Sequence, residues 1–253
     1  MLESALWGLI QGLTEFLPIS SSGHLVLVPA LFGRDGPDLA TSAVLHVGTL
    51  VAVLIYFRAE LAEVLRFTPT GKHLLAYVVV GTIPAGAAGL ALRDPLDRLN
   101  ENPTLVAIAM ICAGIVFILT QWLPTGHRTS GETRMRDAWV MGLGQALALI
   151  PGVSRSGMTI SAGMAERFER REAASLAFLL GIPAIAGAGL INFVDLAAES
   201  GAGLGAELLV GMVVAGVVGY AAIAALLGLI RRTGLAPFGW YCVGFGTLAL
   251  LVV

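Results

Sequence analysis

Six uninterrupted apolar blocks, at 41–57, 74–92, 104–123, 173–194, 208–230 and 235–253, constrain this chain more than any motif it carries. A spanning helix needs about 20 mainly apolar residues, because hydrocarbon offers the backbone no partner and only a helix or a closed barrel satisfies itself. The blocks approach that length. Composition agrees, since the 253 residues are 57% hydrophobic before the 32 glycines are counted and only 13% charged, against about 25% in soluble domains. An ordinary soluble domain is excluded, and an all-α polytopic membrane protein is expected, with 1–253 forming a single integral membrane domain. The net charge of −2 supplies no basic field, so no nucleic-acid partner is expected. Cys112 and Cys242 lie in apolar stretches, where they behave as small hydrophobes and form neither a disulfide framework nor a zinc site. The first residues lack a basic segment, and no cleaved signal is expected.

Two further apolar regions, 5–32 and 138–165, are interrupted near their middles by Pro18-Ile19-Ser20-Ser21-Ser22-Gly23 and Pro151-Gly152-Val153-Ser154-Arg155-Ser156-Gly157. Each reads as helix, polar loop, helix. Irregular backbone at membrane depth is tolerated only where protein or water covers it, so these are expected as two re-entrant hairpins beside about six spanning helices. An offset of 134 aligns them with seven identities in sixteen positions, among them Gln11 with Gln145, Ser20 with Ser154, Ser22 with Ser156 and Gly23 with Gly157. Apolar bias does not produce a shared glutamine and a shared Ser-x-Ser-Gly. Repeat halves at approximately 1–125 and 135–253 follow.

If the six blocks span and the hairpins return to their side of entry, eleven loop residues fall on one face: Arg58, Arg66, Lys72, Arg128, Arg134, Arg136, Arg167, Arg170, Arg171, Arg231 and Arg232. Only Arg34, Arg93 and Arg98 fall on the other. The positive-inside rule makes the first face cytoplasmic and both termini external. The hairpins then enter from opposite sides, as in inverted repeats whose loops meet near the midplane.

Within apolar territory the ionisable residues are Glu15, His24, His46 and Arg155. Such groups are costly in a bilayer and mark function by default. His46 has no polar neighbour in sequence and is expected as a satisfied interior histidine. Both serine loops open a half-helix, whose free N–H groups and positive dipole end favour an anion. Arg155 adds a planar fork, and Ser20, Ser22, Ser154 and Ser156 add uncharged donors, with Gly23 and Gly157 allowing close approach. The joint pocket reads as a phosphate or diphosphate cradle. The plainer alternatives are that the serines only cap helices and that Glu15 and Arg155 pair simply to join the hairpins.

Gln11-Gly12-Leu13-Thr14-Glu15-Phe16-Leu17-Pro18-Ile19-Ser20-Ser21-Ser22-Gly23-His24, together with the second loop, resembles the undecaprenyl-diphosphatase (bacitracin-resistance) family of membrane phosphatases. The resemblance extends through Leu45-His46-Val47-Gly48-Thr49-Leu50 and Arg171-Glu172-Ala173-Ala174-Ser175-Leu176-Ala177-Phe178. It implies hydrolysis of undecaprenyl diphosphate to the monophosphate carrier of cell-wall synthesis, in the bacterial inner membrane, with membrane lipids as surroundings and a homodimer as an open option. It also implies a divalent cation, Mg²⁺ or Ca²⁺, at Glu15 with Gln11, although Gln11 in place of a second carboxylate weakens any two-acid site. Arg155 with Ser154 and Ser156 would hold the diphosphate, and Glu15 would place a cation or act as base. Three nucleophiles stay open: Ser21, which is favoured, His24, or a water that either activates. A polyprenyl-phosphate flippase would use the same pocket and is the competing class.

Overall fold

The computed structural model describes residues 1–200 and 205–253, apart from the side chains at 39, 188 and 190–200. Among these residues there are no strands, and twelve α-helices follow in order. They are α1 (Leu2–Phe16), α2 (Ser21–Ala30), α3 (Leu39–Tyr56), α4 (Arg58–Leu65), α5 (Pro69–Ala91), α6 (Arg93–Asn100), α7 (Pro103–Leu119), α8 (Met135–Leu147), α9 (Arg155–Ala165), α10 (Arg170–Ser200), α11 (Ala206–Thr233) and α12 (Ala236–Val252).

The all-α membrane class holds. Each of the six apolar blocks lies on a helix: α3, α5, α7, α10, α11 and α12. By length and composition α5, α11, and α7 with the turn that follows it can each cross a membrane, and α3 with α4, bent by 77°, makes a fourth candidate among the described residues. Their outward faces are apolar. On α5 Leu75, Val79 and Ile83, and on α11 Leu209, Val213 and Val217, repeat every fourth residue and are exposed. In water such stripes would be association patches; lipid tails cover them at no cost.

Both interrupted regions fold as helix, loop, helix. Proline sets the first break: Leu17, before Pro18, is pushed out of the helical region to ψ 142°, as steric conflict with the proline ring requires. The second break depends on Gly152, at φ +91°, where an added Cβ would lie 2.2 Å from the Val106 carbonyl of α7. Only glycine fits there. Each new half-helix is then capped in the same way, Ser20 accepting from the Gly23 N–H and Ser154 from the Gly157 N–H. Small residues let backbones close elsewhere: α1 lies along α11 and α8 along α5, with Gly8 against Gly211 and Gly142 against Gly81. Such contacts drive helix association where lipid supplies no hydrophobic force.

The offset of 134 carries the starts of α1, α2, α3, α5 and α7 to within three residues of those of α8, α9, α10, α11 and α12. Two elements lie outside that correspondence, the eight-residue helices α4 and α6. Both are too short and too polar to register in a search for apolar blocks.

Candidate active site

The tips of the two hairpins touch. Gly152 N–H donates to Ser22 Oγ at 3.3 Å, and Ser156 Oγ donates to the Leu17 carbonyl at 3.2 Å. Between them one carboxylate gathers the polar groups. Glu15, buried on the last turn of α1, accepts from Ser21 Oγ at 2.7 Å and from Gln11 Nε2 at 3.0 Å through Oε2, while Oε1 is ion-paired with Arg155 Nη2. Arg155 is fixed a second time by Nη1, which donates to the Gly181 carbonyl of α10 at 2.7 Å. That guanidinium occupies room a side chain would take, since a Cβ on Gly181 would lie 2.9 Å from Nη1.

Two adjoining chambers, which share four lining residues, open beside this cluster. The inner, about 320 Å³, is lined by Glu15, Ser21, Ser22, Ser154 and Arg155, with Leu96, Asp97 and Asn100 of α6 on its outer wall. The outer, about 510 Å³, is walled by the connection after α2, including Arg34 and Asp35, and by Asn100 and Glu101. Ser21, Ser22, His46 and Asn100 border both.

Not every expected residue reaches these walls. Gln11, Ser20, Gly23, His24, Ser156 and Gly157 stand behind the surface and hold it in shape. The Ser20–Ser22 and Ser154–Ser156 hydroxyls pair at 3.3 and 3.1 Å. Gly157 is filled by the ring of Phe117, 2.2 Å from where a Cβ would be. His24 donates through Nδ1 to the Ser20 carbonyl at 2.7 Å, so its Nε2 accepts from the Tyr241 hydroxyl at 2.7 Å. Its ring also stacks on Phe245, with centroids 4.7 Å apart. Attack through either nitrogen would first have to break one of these bonds. His46, expected as an interior residue, instead borders the cavity. Gly181, α6 and Tyr241 carry no motif that marks them in the sequence; only the amphipathic Arg-Asp-Pro-Leu-Asp-Arg-Leu-Asn of α6 hints at an interfacial helix.

The donors suit a cation poorly. Both oxygens of Glu15 are already engaged, one of them by a guanidinium, and Gln11 turns its nitrogen toward the carboxylate. Its Oε1 is buried without a partner, but no group of three His, Cys, Asp or Glu assembles among the described residues. These residues as arranged do not form a Mg²⁺ or Ca²⁺ cage, and no step below passes through a metal.

A buried carboxylate with a half-buried serine and arginine, held between two broken helices of an all-α membrane protein, defines the class: an integral membrane protein with a built polar site of the kind phosphoryl chemistry uses. The chain belongs to the bacitracin resistance protein BacA family, whose model matches residues 4–248. It is 40% identical to a Geobacter sulfurreducens protein over 252 residues, covering 95% of this chain and 94% of that one. It is 40% identical over 264 residues to one from Thermobifida fusca (100% and 90%) and 41% over 273 to one from Thermomicrobium roseum (99% and 97%). All three bear the name undecaprenyl-diphosphatase.

Proposed function

We propose that this chain hydrolyses undecaprenyl diphosphate to undecaprenyl phosphate and inorganic phosphate. The observation that carries the proposal is the Ser21–Glu15–Arg155 cluster on the wall of a cavity, supported by family membership and by the activity for which the relatives are named. A serine whose hydroxyl already donates to a carboxylate is the activated nucleophile of general-base chemistry. Arg155 is the planar cationic fork that a phosphoryl group prefers, and it is the one Lys or Arg within the apolar regions of the sequence.

In the proposed sequence the diphosphate competes for Arg155 and so releases Glu15 to take the Ser21 proton. Ser21 Oγ bonds to the terminal phosphorus, the anhydride P–O bond breaks, and the polyprenyl monophosphate leaves as an anion that needs no proton. Charge on the transferring oxygens is met by Arg155, the Ser154 hydroxyl and the half-helix N–H groups. Water then attacks phosphoserine, releasing one proton to solvent. The Oγ–P bond breaks, and Glu15 returns its proton to Ser21. His24 positions the Ser20 carbonyl, and hence the loop, from behind.

We also infer that the site works from the outer face of a bacterial inner membrane, with both termini outside. The outer chamber is lined by 34–37, 100, 101 and 103, in and beside the connections that hold only three of the loop cations, opposite the face with eleven. The hairpins are inferred to be halves of an inverted repeat.

Phosphate release from the purified chain given undecaprenyl diphosphate in detergent tests the activity. Free phosphate appears with wild type; lipid movement between leaflets without phosphate release would overturn it. For orientation, a cysteine at exposed Gly131 (G131C), with Cys112 and Cys242 replaced, resists an impermeant thiol reagent in intact cells; ready labelling would invert the topology.

A further inference from the structure

The reaction above leaves one cavity side chain unused. His46 lies on α3, outside both serine loops, and its ring is held by a single bond, Nδ1 to the Ser42 carbonyl one turn back at 2.8 Å. A carbonyl only accepts, so Nδ1 carries a hydrogen and Nε2 is left without a protein partner among the described residues. The residue borders both chambers, at their junction with Ser21 and Ser22. His24 differs on each count: both of its nitrogens are bonded and it lines neither chamber. Of the two membrane imidazoles, only His46 offers a free ring nitrogen on a cavity wall.

A diphosphate ester presents two phosphoryl groups. Arg155 and Ser154 lie on the inner chamber alone, so a terminal phosphoryl held by them and facing Ser21 leaves the second phosphoryl near the junction. Resting on the diphosphate reading of the cavity, we propose that His46 is a further substrate-binding residue, its Nε2 hydrogen-bonding a diphosphate oxygen from α3 as Arg155 does from α9. The shared hydrogen comes from whichever partner holds it, and no bond to phosphorus is made.

Hydrogen-bond capacity, rather than the imidazole as such, is then what position 46 must supply. The test uses the full-length chain in detergent, with undecaprenyl diphosphate as substrate and inorganic diphosphate as competing inhibitor. His46→Ala, and His46→Leu, which keeps bulk without polarity, should raise both KM and the inhibition constant about 10- to 100-fold, the range for a hydrogen bond to a charged group, with a smaller effect on kcat. His46→Gln, which restores an amide toward the cavity, should recover both to within roughly threefold. Unchanged KM and inhibition constant in the leucine variant would overturn the assignment. Equal damage in the glutamine and leucine variants, confined to kcat, would overturn it too, by making the ring a proton carrier. Arg155→Ala measured alongside separates the two levels: if it loses activity while His46→Leu does not, only His46 falls, whereas full activity in both removes the diphosphate reading.

Discussion

The two serine loops share a frame and divide the chemistry. In each a serine caps the new half-helix by accepting from the glycine three residues on, and in each that serine pairs with the hydroxyl two residues later. The residue between those hydroxyls differs: Ser21 in the first loop, Arg155 in the second. So does the position one turn after the shared glutamine, Glu15 in the first region and Leu149 in the second: Gln11 donates to Glu15, while Gln145 leaves both amide atoms buried and unpartnered. In the proposed mechanism one hairpin thus holds the nucleophile and its base and the other holds the cation. If the hairpins are repeat halves, an active site forms between them only where the copies stop being identical, because two serines or two arginines across the gap would give no attack or no charge balance.

The largest expected effect breaks that division on the first loop. Ser21→Ala should lower turnover on the order of 10⁴-fold, as loss of a nucleophile does, with substrate affinity little changed. A phosphoenzyme trapped from wild type by acid quench should be acid-stable, as phosphoserine is; an acid-labile adduct would move the attack to His24. On the second loop, Arg155→Ala should cost about 2–5 kcal/mol, the range for stripping one member of a buried charged pair, or roughly 30- to 5,000-fold in kcat/KM. Arg155→Lys should fall short of wild type as well, because a single ammonium nitrogen on a shorter stem lacks the two-nitrogen fork that spans Glu15 and the Gly181 carbonyl. Full activity in the lysine variant would reduce the second loop to supplying a charge.

Much of this arrangement is legible in the sequence, for definite reasons. Apolar blocks report helices because hydrocarbon admits little else, and Pro18 and Pro151-Gly152 report the breaks because they bar helical backbone. Glu15, Ser21 and Arg155 are legible because charge and hydroxyl in apolar surroundings are expensive. The two histidines are not distinguishable that way. His24 neighbours the serines in sequence, yet its Tyr241 and Phe245 partners come from α12, more than 200 residues away. His46 has no polar neighbour in sequence, yet α3 brings it to the cavity. Which face of a helix meets which neighbour is tertiary information, and α4 and α6 are invisible to a search for long apolar runs.

Gly181 tests how firmly the second loop's cation must be aimed. Alanine there puts a methyl 2.9 Å from Arg155 Nη1 and should turn the guanidinium off Glu15, lowering kcat/KM roughly 10- to 100-fold, as small misplacements do. In an Arg155→Lys background the same change should cost much less, since lysine does not make the bond that is displaced. Additive losses in that double-mutant cycle, read from kcat/KM, would show that Gly181 acts through something other than Arg155.

The smallest effect concerns the caps, where the shared frame hides a difference in backbone. Ser154 sits in ordinary extended conformation at φ −74°, ψ 121°, whereas Ser20 is held at φ +69°, ψ 103°, which is unfavourable for a residue with a Cβ. Holding a non-glycine residue there costs on the order of 1–3 kcal/mol, and the His24 ring on the Ser20 carbonyl helps to hold it. Replacing either serine by glycine removes a cap hydrogen bond, a change worth a few tenths of a kcal/mol when glycine is the substitute. At position 20 glycine also relieves the backbone. Ser20→Gly should therefore raise the Tm in detergent, and Ser154→Gly should lower it slightly, with opposite signs despite identical chemistry. Equal decreases in both would mean that the first loop is unstrained and that the hairpins differ only in the side chains they carry.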